Sequence, residues 1–217
     1  MKDGFIQAFR KGNAITRLSA IILGLGNLAG KQNDKGILYL AMEVSFICFM
    51  IFKGMNCLAM LPGLGGREQQ EIWNEKLGVY EYVAGDNSLL ILLYGVATIF
   101  LIAAYVVLVM SSVKSAYNVQ SRLALGKHIN TFVEDVKSLF NENLHKLLLT
   151  LPVGGVLIFT ILPLIFMISM AFTNYSKVDS HLVLFDWVGL ENFKQLFDSG
   201  SSIGHSFWSV LGWTIIW

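Results

Sequence analysis

Two stretches of the chain lose every ionisable acid and base for longer than a bilayer is thick. From Ser88 to Val113 it reads SLLILLYGVATIFLIAAYVVLVMSSV, bounded by Asp86 and Lys114. At about 1.5 Å per residue, roughly 20 helical residues cross the roughly 30 Å hydrocarbon core, so this run predicts a spanning helix. The second run, LLLTLPVGGVLIFTILPLIFMISMAFTNYS, lies between Lys146 and Lys177 and also predicts a span. Pro152 and Pro163 sit inside it, which implies a kinked helix whose freed carbonyls are satisfied by neighbours. An earlier run is less clean: Gly36 to Phe52 is apolar apart from Glu43, Lys53 intervenes, and GMNCLAML follows before Pro62. It predicts a span that continues to about Leu61 if Lys53 faces protein or water. The last residues, SFWSVLGWTIIW from Ser206 to Trp217, read as the opening of a fourth span.

Between these runs the apolar period changes. Ile15, Leu18, Ile21, Ile22, Leu25, Leu28 and Ala29 recur at helical spacing, predicting one amphipathic helix lying in the interface ahead of the first span. Phe132, Val133, Val136, Leu139, Phe140, Leu144 and Leu147 predict a second, and Thr131 with Glu134 fits a capping box at its start. After Gly189, the positions of Leu190, Phe193, Leu196 and Phe197 predict a short third helix. Tyr175, Trp187, Trp208 and Trp213 suit headgroup depth.

Composition agrees: 54% of residues are hydrophobic and 14% charged, against about a quarter charged in a soluble domain. Segments 1–35 and 114–146 hold eleven Lys and Arg, and the alternate segments 53–87 and 174–205 hold five, with acids in excess. Basic residues are retained inside, so the amino terminus is expected in the cytoplasm. The expected organisation is a cytoplasmic segment with an amphipathic helix (1–35), a first transmembrane helix (36–61), an extracellular loop (62–87), a second (88–113), a cytoplasmic loop with an amphipathic helix (114–146), a third (147–173), an extracellular loop (174–205) and the start of a fourth transmembrane helix (206–217). The fold class is an all-α integral membrane bundle. No stretch resembles a cleaved secretory signal. The net charge of +1 gives no reason to expect a nucleic-acid partner.

Candidate chemistry is sparse. His128, His145, His181 and His205 are far apart and lack ligand spacing, so no metal is expected. Asp179, Ser180 and His181 have the letters of a nucleophilic triad, yet three adjacent residues cannot converge on one reacting centre. No phosphate-binding glycine loop appears, so the chain is not expected to hydrolyse ATP, and no catalytic or cofactor-binding residue is assigned. GLGNLA after AIIL matches a relaxed dinucleotide fingerprint but leads into a span, not a βαβ unit. Cys48 and Cys57 read as buried thiols acting as small apolar residues. Glu43 is the one intramembrane acid, and the cost of burying it predicts a hydrogen-bonded or protonated carboxyl that faces another helix.

Four stretches, LSAIILGLGNLAGKQNDKGILYLAMEVSF, LPVGGVLIFTILPLIFMISMAFTNY, FDWVGLENFKQLF and SFWSVLGWTIIW, together resemble the permeases of binding-protein-dependent ABC sugar importers. The similarity is to the larger membrane subunit of the maltose and maltodextrin type, over roughly its first half, and AFTNY (171–175) and VGLENFKQLF (188–197) carry it most specifically. The resemblance implies a type I importer permease fold in a bacterial plasma membrane. It implies a second permease subunit, two ATP-binding subunits that hold ATP and Mg, and an extracellular sugar-binding protein delivering a maltodextrin-like oligosaccharide. The family's coupling loop matches no stretch here, and its sugar-contacting residues are expected mainly beyond Trp217. Two other readings are a membrane-embedded enzyme acting on lipid-linked sugars and a non-transporting assembly or sensor subunit.

Overall fold

The computed structural model describes residues 4–75, 77–175, 184–198 and 200–217. The chain is mostly helical. Among the described residues, three helices are long and apolar enough to cross a membrane: Asn33–Met60, Ser88–Ala124 and Leu144–Met170. Two compact units divide it, Met1–Met55 with Thr98–Phe159, and Asn56–Ala97 with Thr160–Trp217.

In the first unit, α1 (Phe5–Lys11), α2 (Ala14–Leu18) and α3 (Leu25–Ala29) precede the long helix α4 (Asn33–Met60). The single amphipathic helix expected over residues 15–29 is therefore broken. Its period is interrupted because Gly24 adopts a left-handed φ of 81° and the chain turns between Ser19 and Gly24. Helix α4 runs through exposed Lys53 to Met60, with a π turn at Met50–Gly54 around that lysine. Cys48 is exposed and Cys57 half-buried. The expectation of two buried thiols is corrected to one exposed and one half-buried.

The second unit begins at the end of α4 and contains the departure from an all-α fold. Strands β1 (Gln70–Asn74) and β2 (Val79–Val83) form an antiparallel hairpin, with Trp73 opposite Tyr80 and Ile72 opposite Glu81. Gly78, at φ 64°, closes the turn without the Cβ penalty another residue would meet. The residues IW and VYEYV favour strands, and Trp73 and Tyr80 meet edge to face with ring centroids 4.9 Å apart. Almost the whole hairpin is exposed, so no alternation of burial marks it in the sequence.

Asp86, just before the next helix, fixes the base of this loop. It accepts from the Gly66 and Arg67 amides, at 3.1 Å each, and from the Arg67 guanidinium at 2.9 Å. The guanidinium hydrogen bond first, then the two amides, hold the Asp86 carboxyl down to about 2. A carboxyl lowered on folding stabilises the fold fully above its ordinary value of 3.8, and that contribution is lost as pH falls through about 2. Pepsin cleavage within residues 62–87 is thus expected to rise as pH falls from about 4 to about 2, whereas Asp86→Asn should already be cleaved fast at the upper pH.

Helix α5 (Ser88–Ala124) contributes to both units. It does not stop with the apolar run at Val113 but continues through Lys114 to Ala124, where Gly126 at φ 62° turns the chain. The Lys127 and Gly126 amides donate back to the Arg122 and Leu123 carbonyls, the paired bonds of a Schellman end. Helix α6 (Phe132–Phe140) starts at the expected reciprocal cap of Thr131 and Glu134. It ends at Phe140, short of the face predicted to reach Leu147, because Asn141 leaves helical geometry; Leu144 and Leu147 belong to α7 (Leu144–Met170). Within α7 a π turn at Leu157–Ile161 directly precedes Leu162 and Pro163. Pro163 has no N–H for the Phe159 carbonyl and its ring crowds that oxygen, and the wider turn relieves both.

Helices α8 (Glu191–Phe197) and α9 (Ser202–Ile216) end the second unit. Its core is Leu64, Leu92, Val96 and Phe185, with Leu61, Phe166 and Met170 packed against them. The Phe185 amide donates to Ser88 Oγ at 3.1 Å, and Trp187 Nε1 donates to the Leu61 carbonyl at 2.9 Å.

Candidate functional site

Glu43 lies on the face of α4 turned into the first unit and is 7% exposed. Its Oε2 accepts from the buried Leu23 amide at 2.9 Å, and Tyr105 of α5 donates to Oε1 across 3.5 Å. The Tyr105 ring stacks on Phe46 one turn along α4, with centroids 4.0 Å apart and planes within 6°. The next amide in the bend, Gly24 N–H, donates to Ser112 Oγ, and that hydroxyl donates to the Ser19 carbonyl. Ser19 Oγ in turn accepts from the Gly26 amide. The break between α2 and α3 thus exposes backbone donors inside an apolar layer, and side chains from α4 and α5 satisfy them.

The polar chain extends along α5. Asn27, fully buried, donates from Nδ2 to Ser115 Oγ and Gln32 Oε1, while its Oδ1 has no partner among the described residues. Gln32 donates to the Asn130 carbonyl, and Lys35 pairs with Asp135 at 2.8 Å. At the other end, Gln120 Oε1 accepts from the Asn13 amide and the Thr16 hydroxyl. These bonds position backbone; they surround no nucleophile, and the arrangement suits holding helices in register more than chemistry.

Of the histidines, His128 pairs with Glu134 at 3.0 Å, His145 starts α7 and His205 lies in α9. The His128 bond adds to the Thr131 amide, the larger cause, in lowering the Glu134 carboxyl. Asp179, Ser180 and His181 lie outside the described residues. Among the described residues no three His, Cys, Asp or Glu side chains gather to hold a metal. The hydrogen-bonded carboxyl predicted at Glu43 thus faces another helix, through Tyr105, and its second partner, the Leu23 amide, has no side-chain signal in the sequence.

In the second unit, the two stretches most specific to the sugar-permease resemblance fold onto one another. The Val188 and Gly189 amides donate to the Phe172 carbonyl at 2.8 and 3.1 Å, and Phe172 packs on Phe193 with centroids 5.2 Å apart. Asn192 Nδ2 donates to the Ala171 and Thr173 carbonyls at 2.9 and 2.7 Å.

Compared with known proteins, the chain is 32% identical over 204 residues to the maltodextrin transport system permease protein MalC of Streptococcus pneumoniae, covering 92% of this chain and 43% of that protein. The chain is homologous to oligosaccharide-transport permeases. The maltodextrin permease MdxF of Bacillus subtilis is 29% identical over 92% of this chain. The galactooligosaccharide permease GanP of the same organism is 28% identical over 94% of this chain and 45% of its own length. This permease homologue therefore spans less than half the length of the curated relatives it matches. No protein-family model and no solved structure matches it.

For the permease homologue, Asn192 has a testable weight. Asn192→Ala leaves the end of α7 without two of its carbonyl partners and is expected to lower stability by about 1–2 kcal/mol. A unfolding titration in detergent micelles checks this; an unchanged midpoint would mean that water replaces the amide without loss.

Proposed function

We propose that this chain forms part of the membrane permease of an oligosaccharide importer, lining or bracing a pathway whose opening is driven by ATP-binding partner subunits. The observation that carries this reading is 32% identity to a maltodextrin permease along 92% of the chain, on three helices able to cross a membrane. In this reading the chain adopts the type I importer arrangement, with its amino terminus and residues 114–146 in the cytoplasm of a bacterial cell and Ser202–Ile216 forming a further span. A second permease, two ATPase subunits holding ATP and Mg, and an external sugar-binding protein complete the complex. In this reading the chain transmits, and its buried hydrogen-bond network keeps the helices rigid enough to move as bodies. Maltodextrins and galactooligosaccharides are the sugar classes to test first.

Reconstitution of the permease in proteoliposomes with its ATPase and binding-protein partners tests this. Oligosaccharide-stimulated ATP hydrolysis coupled to sugar uptake is expected. An intact complex that hydrolyses ATP without responding to any oligosaccharide would overturn the proposal.

A further inference from the structure

In the first unit, the ends of α3 and α5 and the turn that follows α5 border an open cavity of about 400 Å³. Lys31, Lys127, His128 and Thr131 line it, together with Leu123 and Ile129. Among the described residues neither Lys31 nor Lys127 has an ion-pair partner. The acids at its wall have partners other than these lysines: Glu134 accepts from the Thr131 amide and from His128, and Asp135 from Lys35 and Asn130. Arg122, which donates to the His128 carbonyl and Asn130 Oδ1, ties down the loop that forms one wall and adds a third positive charge behind it. The two lining lysines are therefore left without an acid of their own among the described residues.

Lys31 also has a left-handed backbone, φ 64°, which glycine adopts freely and lysine does not. The position favours glycine by conformation, yet holds a long cation. Lysine ammonium groups act as mobile point charges and suit a compact phosphate. The surroundings indicate the form in which that phosphate arrives. Lys31 is two residues ahead of α4, whose apolar run starts at Gly36, so the cations sit at the foot of a span. Leu123 and Leu125 beside them are exposed at 55% and 68%. Basic cavities at the ends of transmembrane helices are built to take anionic lipid headgroups, with apolar neighbours against the acyl region.

We propose that this cavity binds the phosphate of an anionic glycerophospholipid headgroup through Lys31 and Lys127. Binding would fasten the α3 turn and the α5–α6 turn to the membrane surface, independently of which solute the permease carries.

The test is native mass spectrometry of the intact permease, titrated with phosphatidylglycerol or with phosphatidylcholine. Wild-type protein is expected to retain phosphatidylglycerol in preference to phosphatidylcholine. Lys31→Gly, which suits the backbone, and Lys127→Gln should each weaken phosphatidylglycerol binding about fivefold, and the double variant should bind it more weakly than either. Lys127→Arg should restore most of it, and phosphatidylcholine binding should not change. Equal retention of the two lipids by wild-type protein, or undiminished phosphatidylglycerol binding by the folded double variant, would overturn the site. Displacement of phosphatidylglycerol by millimolar inorganic phosphate would overturn the lipid assignment in favour of a soluble anion. The readout is lipid retention, so a failed transport assay leaves it intact.

Discussion

Glu43→Ala is expected to lower the stability of the folded chain by about 2–4 kcal/mol, and Glu43→Gln by less than about 1 kcal/mol. Alanine leaves the Leu23 amide, which is fully buried, without its acceptor at 2.9 Å, and removes the partner of Tyr105. An orphaned buried donor costs about 1–3 kcal/mol, and the emptied side-chain volume adds to that. Glutamine keeps an oxygen for the amide, while Tyr105 turns its hydroxyl from donor to acceptor. Chemical denaturation in mixed micelles, read alongside uptake by the proposed importer complex, separates this role from ion transfer. If Glu43→Gln assembled with wild-type stability and abolished uptake, the carboxyl would have to carry charge and the positioning role assigned here would fail.

The contrast between the two substitutions follows from where the carboxyl points. The sequence places an acid within an apolar run and demands that something offset it. In the structure the compensation is a main-chain amide in a bend, aided by a phenol, while serine hydroxyls satisfy the neighbouring amides of the same bend. Serine, tyrosine and asparagine are unremarkable in an apolar helix, and a main-chain donor has no letter at all. The partners of Glu43 were therefore illegible even though the need for them was plain.

The spans themselves were legible because lipid excludes charge so strongly that absence of Lys, Arg, Asp and Glu over 26 residues at 88–113 admits few alternatives. The helix–bend–helix over residues 14–29 was not. Helical spacing of Ile15, Leu18, Ile22 and Leu25 survives in the sequence, but the main chain is diverted at Ser19–Gly24 by hydrogen bonds to α4 and α5, which lie 20 residues or more away. The hairpin at 70–83 escaped for the opposite reason: it buries so little that no period forms. The knot between 171–175 and 188–197 shows a third case. Its residues carried the resemblance, and only the fold reveals that Asn192 joins the two stretches.

Gly24→Ala is expected to be the most damaging single-methyl change in the first unit, costing at least about 3 kcal/mol and depleting folded protein from the membrane. Two independent effects add. At φ 81° an L side chain is strained by about 1 kcal/mol. A Cβ would also stand 2.4 Å from the Gly36 carbonyl oxygen and 2.9 Å from its Cα, both main-chain atoms that cannot rotate aside. Gly26→Ala offers a comparison with normal dihedrals: its Cβ would meet the Ala116 methyl at 2.3 Å, a contact that a small shift of α3 against α5 relieves in part. Gly26→Ala should therefore cost less than Gly24→Ala, and combining Gly26→Ala with Ala116→Gly should recover most of the loss. The pattern GLGNLA resembles a dinucleotide fingerprint for a physical reason. Both uses need one glycine for a turn that other residues resist and a second for close approach, here of a helix backbone to Ala116 in place of a phosphate. Midpoints of thermal unfolding for the three variants decide the matter: equal losses at Gly24 and Gly26 would mean that the bend yields, and that the hydrogen bonds its amides donate to Glu43 and Ser112 do not hold it rigid.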